Sequence, residues 1–230
     1  MKNAFGKLVL GLAAAALLGF APSASADTAS MVLTGAGTNP VDGIYVGPYY
    51  ATVNGVANTP IICDDFADDS YIGESYTANI SSETAPSGTF FSGQQNYNAV
   101  SALAEQLFST TSNATAAKLQ YAIWYIFDPT GVTKWLTVTS PDPTLLAAAI
   151  GLANGAEAAT YTAGQFSDIK IYTPNLSDPI KCGTGSCPTA PPQEFIVKTP
   201  EASTVLLLGF GLFAIGIFGR RKFAAMSAAV

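Results

Sequence analysis

Both ends of this chain are apolar segments set against cationic residues, so only the stretch between them is free to build a water-soluble core. At the N-terminus Lys2 and Lys7 flank the start of an apolar run, Leu8 to Phe20, and Ala24-Ser25-Ala26 leads into Asp27. A positive region, a hydrophobic region and a small-residue cleavage site make a secretory signal peptide. A membrane anchor is the rival reading, but the run is short and closes on Pro22 and small residues. At the C-terminus Val205 to Gly219 is uninterrupted by any charge, and Arg220, Arg221 and Lys222 follow at once. A core helix is normally apolar on one face; a membrane span with snorkelling cations at its cytoplasmic end reads as this segment does. The chain therefore divides into a signal peptide at 1–26, an exported domain at 27–199 and a C-terminal signal at 200–230 with a transmembrane helix at 203–219.

Ahead of that last run stands Pro200-Glu201-Ala202-Ser203-Thr204. A short polar motif, an apolar helix and the basic cluster Arg220-Arg221-Lys222 together resemble the PEP-CTERM tail of exported Gram-negative proteins. Ala202 stands where the family has a second proline, and Phe223 to Val230 continues past the cations. The resemblance implies processing by an exosortase after signal peptidase has acted. It implies transient anchoring in the inner membrane through the C-terminal helix, then the cell surface or extracellular matrix.

Residues 27–200 hold fifteen Asp and Glu against five Lys. Such an acidic domain repels a phosphate backbone, so no nucleic acid is expected. The chain has no histidine, which removes Ser-His-Asp and Cys-His nucleophile systems and His-ligated zinc. No glycine-rich phosphate loop is present. The sequence is accordingly not read as that of an enzyme, and no cofactor is expected.

Export places the three cysteines in a disulfide-permissive compartment. Cys182 and Cys187 flank the turn Gly183-Thr184-Gly185-Ser186 and are expected to pair; two metal-binding thiols are the alternative. Cys63 is then left over, either as a buried apolar side chain or as a reactive group.

Strands are expected over Gly43 to Tyr50, Ala51 to Val53, Ile61 to Cys63, Tyr71 to Ile80, Ile169 to Tyr172 and Gln193 to Lys198, with Asn54-Gly55 as a hairpin turn. Residues 81–95 read as a loop. Helical spacing runs from Tyr97 to Phe108, from Ala114 to Phe127 with Asn113 as cap, and from Pro143 to Ala153 with Asp142 as cap and Gly155 beyond the end. Strands, helices, then strands predict an α+β fold: an antiparallel β-sandwich or barrel with a helical insertion, plus the C-terminal hydrophobic helix.

The second helix places Gln120 in an apolar stripe with Ala116, Ala117, Ile123 and Trp124. A buried primary amide must satisfy a carbonyl and two donors, at about 1–3 kcal/mol for each group left unmet. Ile62-Cys63-Asp64 and Leu119-Gln120-Tyr121-Ala122-Ile123-Trp124 resemble the two signature blocks of bacterial surface thioester domains. The resemblance implies that the Cys63 thiol attacks the Gln120 carboxamide and expels ammonia. It makes Trp124 a shield for the bond, and amines on a surface the acceptors. Tyr45, Tyr49 or Tyr121 would line such a site.

Asp64-Asp65-Phe66-Ala67-Asp68-Asp69 is the densest acidic run. It reads as a solvated turn, with Asp64, Asp65, Asp68 and Asp69 as a weak calcium candidate that lacks the glycine and terminal glutamate of an EF-hand loop. A carboxylate-based hydrolase is a remote alternative. Tyr45, Tyr49, Tyr50 and Tyr71 fit sheet packing better than a carbohydrate platform. The sequence thus reads as an exported surface or matrix protein that attaches to surface amines through a thioester. The alternative is a non-catalytic structural protein associated with extracellular polysaccharide.

Overall fold

The computed structural model describes residues 27–37, 40–183, 190–199 and 209. The signal peptide, the sorting residues from Pro200 onward (Gly209 apart) and Cys187 lie outside the described residues, as does the expected span at 203–219. No helix among the described residues is long and apolar enough to cross a membrane.

The main strands are β1 (Thr28–Gly35), β4 (Tyr49–Val53), β5 (Val56–Cys63), β6 (Ser75–Ser82), β7 (Ile169–Pro174) and β8 (Phe195–Lys198). These six close into an antiparallel barrel in the order β1-β4-β5-β8-β7-β6. Between the first two lies a small ribbon, β2 (Pro40–Val41) and β3 (Ile44–Tyr45). Alternation buries Ala29, Met31 and Leu33 on β1, and Tyr49, Ala51 and Val53 on β4. The hairpin between β4 and β5 turns on Asn54 at φ 49° and Gly55 at φ 83°. Two left-handed residues match the twist of the flanking strands, which is why Asn-Gly marks such a turn. Where β5 and β8 pair, Ile61, Ile62 and Cys63 face Val197, Ile196 and Phe195, and all six are buried. Burial on both sides arises because helices cover the outer face.

Those helices form the insertion between β6 and β7: α1 (Gln94–Ser109), α2 (Asn113–Phe127), α3 (Pro129–Lys134) and α4 (Pro143–Ala158), with a wide π turn at Trp135–Thr139. The α+β barrel with a helical insertion is therefore present as expected. Several boundaries differ, for local reasons. The cap of α2 is Ser112, whose hydroxyl accepts the Thr115 N–H at 3.3 Å. The Asp142 carboxylate accepts the Leu145 N–H at 2.9 Å and caps α4, as expected. That helix runs through Gly155 to Ala158, because a lone glycine weakens a helix without ending it. Residues 43–50 do not form one strand: β3 stops at Tyr45, and Val46-Gly47-Pro48 crosses to β4 through a cis Gly47–Pro48 peptide. The strand expected from Tyr71 begins at Ser75, after a turn closed by the Glu74 N–H on the Tyr71 carbonyl and passing through Gly73 at φ 90°.

Candidate functional site

The end of β5 and the middle of α2 meet under the helical layer. Cys63 and Gln120 are both fully buried. The Gln120 carboxamide lies on Cys63 itself, its Nε2 donating to the Cys63 carbonyl at 2.6 Å. Its Oε1 accepts the Gly47 backbone N–H at 3.1 Å. One backbone amide thus polarises the amide carbonyl, and the strand residue that carries the thiol holds the amide nitrogen. Gly47 permits this approach by lacking a side chain: a Cβ there would sit 2.7 Å from Oε1. The sequence contained the need to satisfy Gln120, but nothing in it pointed to Gly47.

The Cys63 thiol donates to the Asp65 carbonyl at 2.9 Å. Burial pushes the thiol well above its ordinary pKa, and the Asp64 and Asp65 carboxyls push it further. The Trp124 indole pulls the other way. Its N–H meets no acceptor at hydrogen-bonding geometry among the described residues, yet it lies close enough to the sulfur to favour a thiolate. Trp124 is held by Phe66, 5.2 Å between ring centroids, and by Tyr121 edge-on at 5.1 Å. Cys63 is the free cysteine among the described residues. Of the expected Cys182–Cys187 bridge, the Cys187 end lies outside them.

The acidic run departs from the expected solvated turn. Asp64 and Asp65 are buried, and Ala67 and Asp69 are its exposed members. Asp65 Oδ1 accepts the N–H groups of Ala67 at 2.9 Å and Asp68 at 3.3 Å, folding the run back on itself. Burial raises the Asp65 pKa to about 6, against the lowering effect of those two N–H groups. Asp64 has neither oxygen paired among the described residues. Burial and the adjacent Glu194 drive its pKa well above the ordinary carboxylate range. Glu194, which the sequence reading placed only within the last strand, is fully buried. It accepts from Tyr97 Oη at 2.6 Å, from the Phe90 N–H at 2.9 Å and from the Thr173 hydroxyl. This carboxyl therefore ties α1 to β7 beside the site. The four aspartates do not gather into a metal site: no group of three or more ligating side chains among the described residues could hold an ion.

A cavity of about 490 Å³ opens beside these residues. Tyr49 and Trp124 are buried members of its wall, and neither Cys63 nor Gln120 lines it. Tyr45 and Tyr49 line this cavity and Tyr121 does not.

No curated protein and no solved structure matches the chain. Residues 198–222 match the PEP-CTERM protein-sorting motif, and the chain therefore carries the address of an exported, exosortase-sorted protein of the Gram-negative cell surface.

Proposed function

We propose that the exported domain attaches covalently to amine-bearing surfaces through a Cys63–Gln120 thioester. The observation that carries this reading is the Gln120 carboxamide seated on the Cys63 carbonyl, with its own oxygen on the Gly47 N–H. In the forming step, sulfur bonds to the Gln120 carbonyl carbon and the carbon–nitrogen bond breaks. The thiol proton leaves with the nitrogen as ammonia. The Gly47 N–H stabilises the negative oxygen of the tetrahedral intermediate. A surface amine then adds to the same carbon, and the sulfur departs as the thiol with the amine's proton. Each chain reacts once, so the protein is an attachment device and not an enzyme. Dry surroundings are required for the bond to survive, and the Trp124, Phe66 and Tyr121 rings supply them. Signal peptidase removes the N-terminal segment before the domain reaches this state.

The intact mass of the exported protein tests the reading. The domain is expected one ammonia lighter than its sequence, beyond any hydrogens lost to a disulfide. Methylamine converts it to an adduct, and Cys63→Ala abolishes both changes. An unshifted mass with a titratable Cys63 thiol overturns the reading and leaves a non-catalytic structural or matrix protein.

Gly47→Ala offers a sharper check of the carbonyl's seat. The added Cβ collides with Gln120 Oε1, which is expected to cost about 1–3 kcal/mol of stability. It also abolishes ammonia loss. Urea denaturation reads the first effect and intact mass the second.

A further inference from the structure

We propose that the 490 Å³ cavity is a recognition site for an alkylammonium group, with Tyr45 and Trp135 as its aromatic walls and Asp68 and Asp69 as its counter-charge. Ring faces attract cations through their quadrupole, and neighbouring carboxylates add direct attraction. Both features converge here. The wall includes Tyr45, Tyr49, Trp124 and Trp135, together with Asp68 and Asp69. No lysine or arginine lines it among the described residues, so no internal cation neutralises the two aspartates at this wall. Tyr45 is 49% exposed, which leaves its ring available at the mouth. Trp135 is fixed in place by its indole N–H, which donates to the Asp42 carbonyl at 3.2 Å. Phe66 braces Trp124 at 5.2 Å and Trp135 edge-on at 6.4 Å, giving one continuous aromatic wall.

The shape selects further. A wall of rings with acid at one side accepts a short alkyl chain that ends in a charged nitrogen, and gives a neutral alcohol no partner for its charge-free end beyond ordinary hydrogen bonds. Trp124 and Tyr49 are the buried aromatic residues of the lining, and both lie within electrostatic reach of the buried Cys63. That this cavity delivers amines to the thioester rests on the reading above; that it binds alkylammonium does not.

The chain contains two tryptophans, and both line this cavity, so intrinsic tryptophan fluorescence reports on it alone. The full exported protein is titrated with butyltrimethylammonium, which cannot be acylated, and with butanol. A saturable emission change is expected with the quaternary ion, at an affinity about tenfold above that for butanol. The Asp68→Asn/Asp69→Asn variant, altered on the more exposed part of the acidic run, is expected to lose most of that preference. Equal binding of the two probes, absence of a saturable change, or an unaffected double variant overturns the proposal. Mass spectrometry separates this from the thioester reading. In the double variant ammonia loss persists while butylamine adduct formation slows by about tenfold. A wild-type chain that binds the quaternary ion but shows no ammonia loss sinks the thioester and keeps the cavity's assignment.

Discussion

Glu194→Ala is expected to destabilise the domain by about 3–5 kcal/mol, as the Tyr97 hydroxyl, the Thr173 hydroxyl and the Phe90 N–H lose their common acceptor inside the protein. Each orphaned buried donor costs about 1–3 kcal/mol, and relief of the Asp64 carboxyl's crowded neighbour offsets part of the sum. Urea denaturation of the exported domain at neutral pH measures the loss, and an effect below about 1 kcal/mol contradicts the network. Asp64→Asn is expected to act in the opposite direction. The folded state raises the pKa of Asp64 well above its ordinary range and that of Asp65 to about 6. Between the unfolded carboxylate pKa of about 3.9 and those folded values, the folded chain binds more protons than the unfolded one. The stability these two carboxyls contribute is therefore fully present below about pH 3.9 and is lost as pH rises, for Asp65 by about 6. In the Asp64→Asn variant the fall in stability with rising pH is shallower, because the side chain no longer has to ionise in a buried place.

The α+β outline was legible because two periodicities are clean in this chain. Asn54-Gly55 fixed a hairpin, and the apolar spacing from Tyr97 to Phe108 and around Gln120 fixed two helices. β1 carries the same alternation, burying Ala29, Met31 and Leu33, yet small and polar residues between them made the stretch after the signal peptide look featureless. The choice between sandwich and closed barrel was not legible, since closure depends on β1 pairing with both β4 and β6 across distant sequence. The site divides in the same way. Gln120 was identifiable from the cost of burying a primary amide, and Cys63 from its lack of a local partner. Gly47 and Glu194 were not, for opposite reasons. Gly47 matters through a side chain it lacks and a backbone N–H that every residue but proline has. Glu194 reads in the sequence only as part of the last strand, and it is the convergence of Tyr97 on α1, Thr173 on β7 and the Phe90 N–H on its carboxyl that accounts for a buried acid there. The acidic run misled because adjacent aspartates read as water-seeking, whereas Asp65 directs its carboxyl at two backbone N–H groups of its own turn.

Trp124→Ala separates the two tasks assigned to the largest fully buried side chain of the domain. Truncation leaves a void beside Phe66 and Tyr121 and is expected to cost about 3–5 kcal/mol. It also opens a route for water from the cavity to the cysteine–glutamine pair, because Trp124 lines that cavity and lies beside the sulfur. The ammonia-deficient mass should then decay to the hydrolysed form, a free Cys63 thiol with a glutamate at position 120. That species is two hydrogens and one oxygen heavier than the thioester. Trp124→Phe keeps much of the volume and removes the indole N–H. It is expected to retain most of the stability and a slower version of the decay. If the decay instead tracks stability across both variants, water enters by unfolding and the ring is only a core anchor. If Trp124→Phe decays as fast as Trp124→Ala while remaining folded, the indole itself guards the bond, and its N–H beside the sulfur is the group that does so.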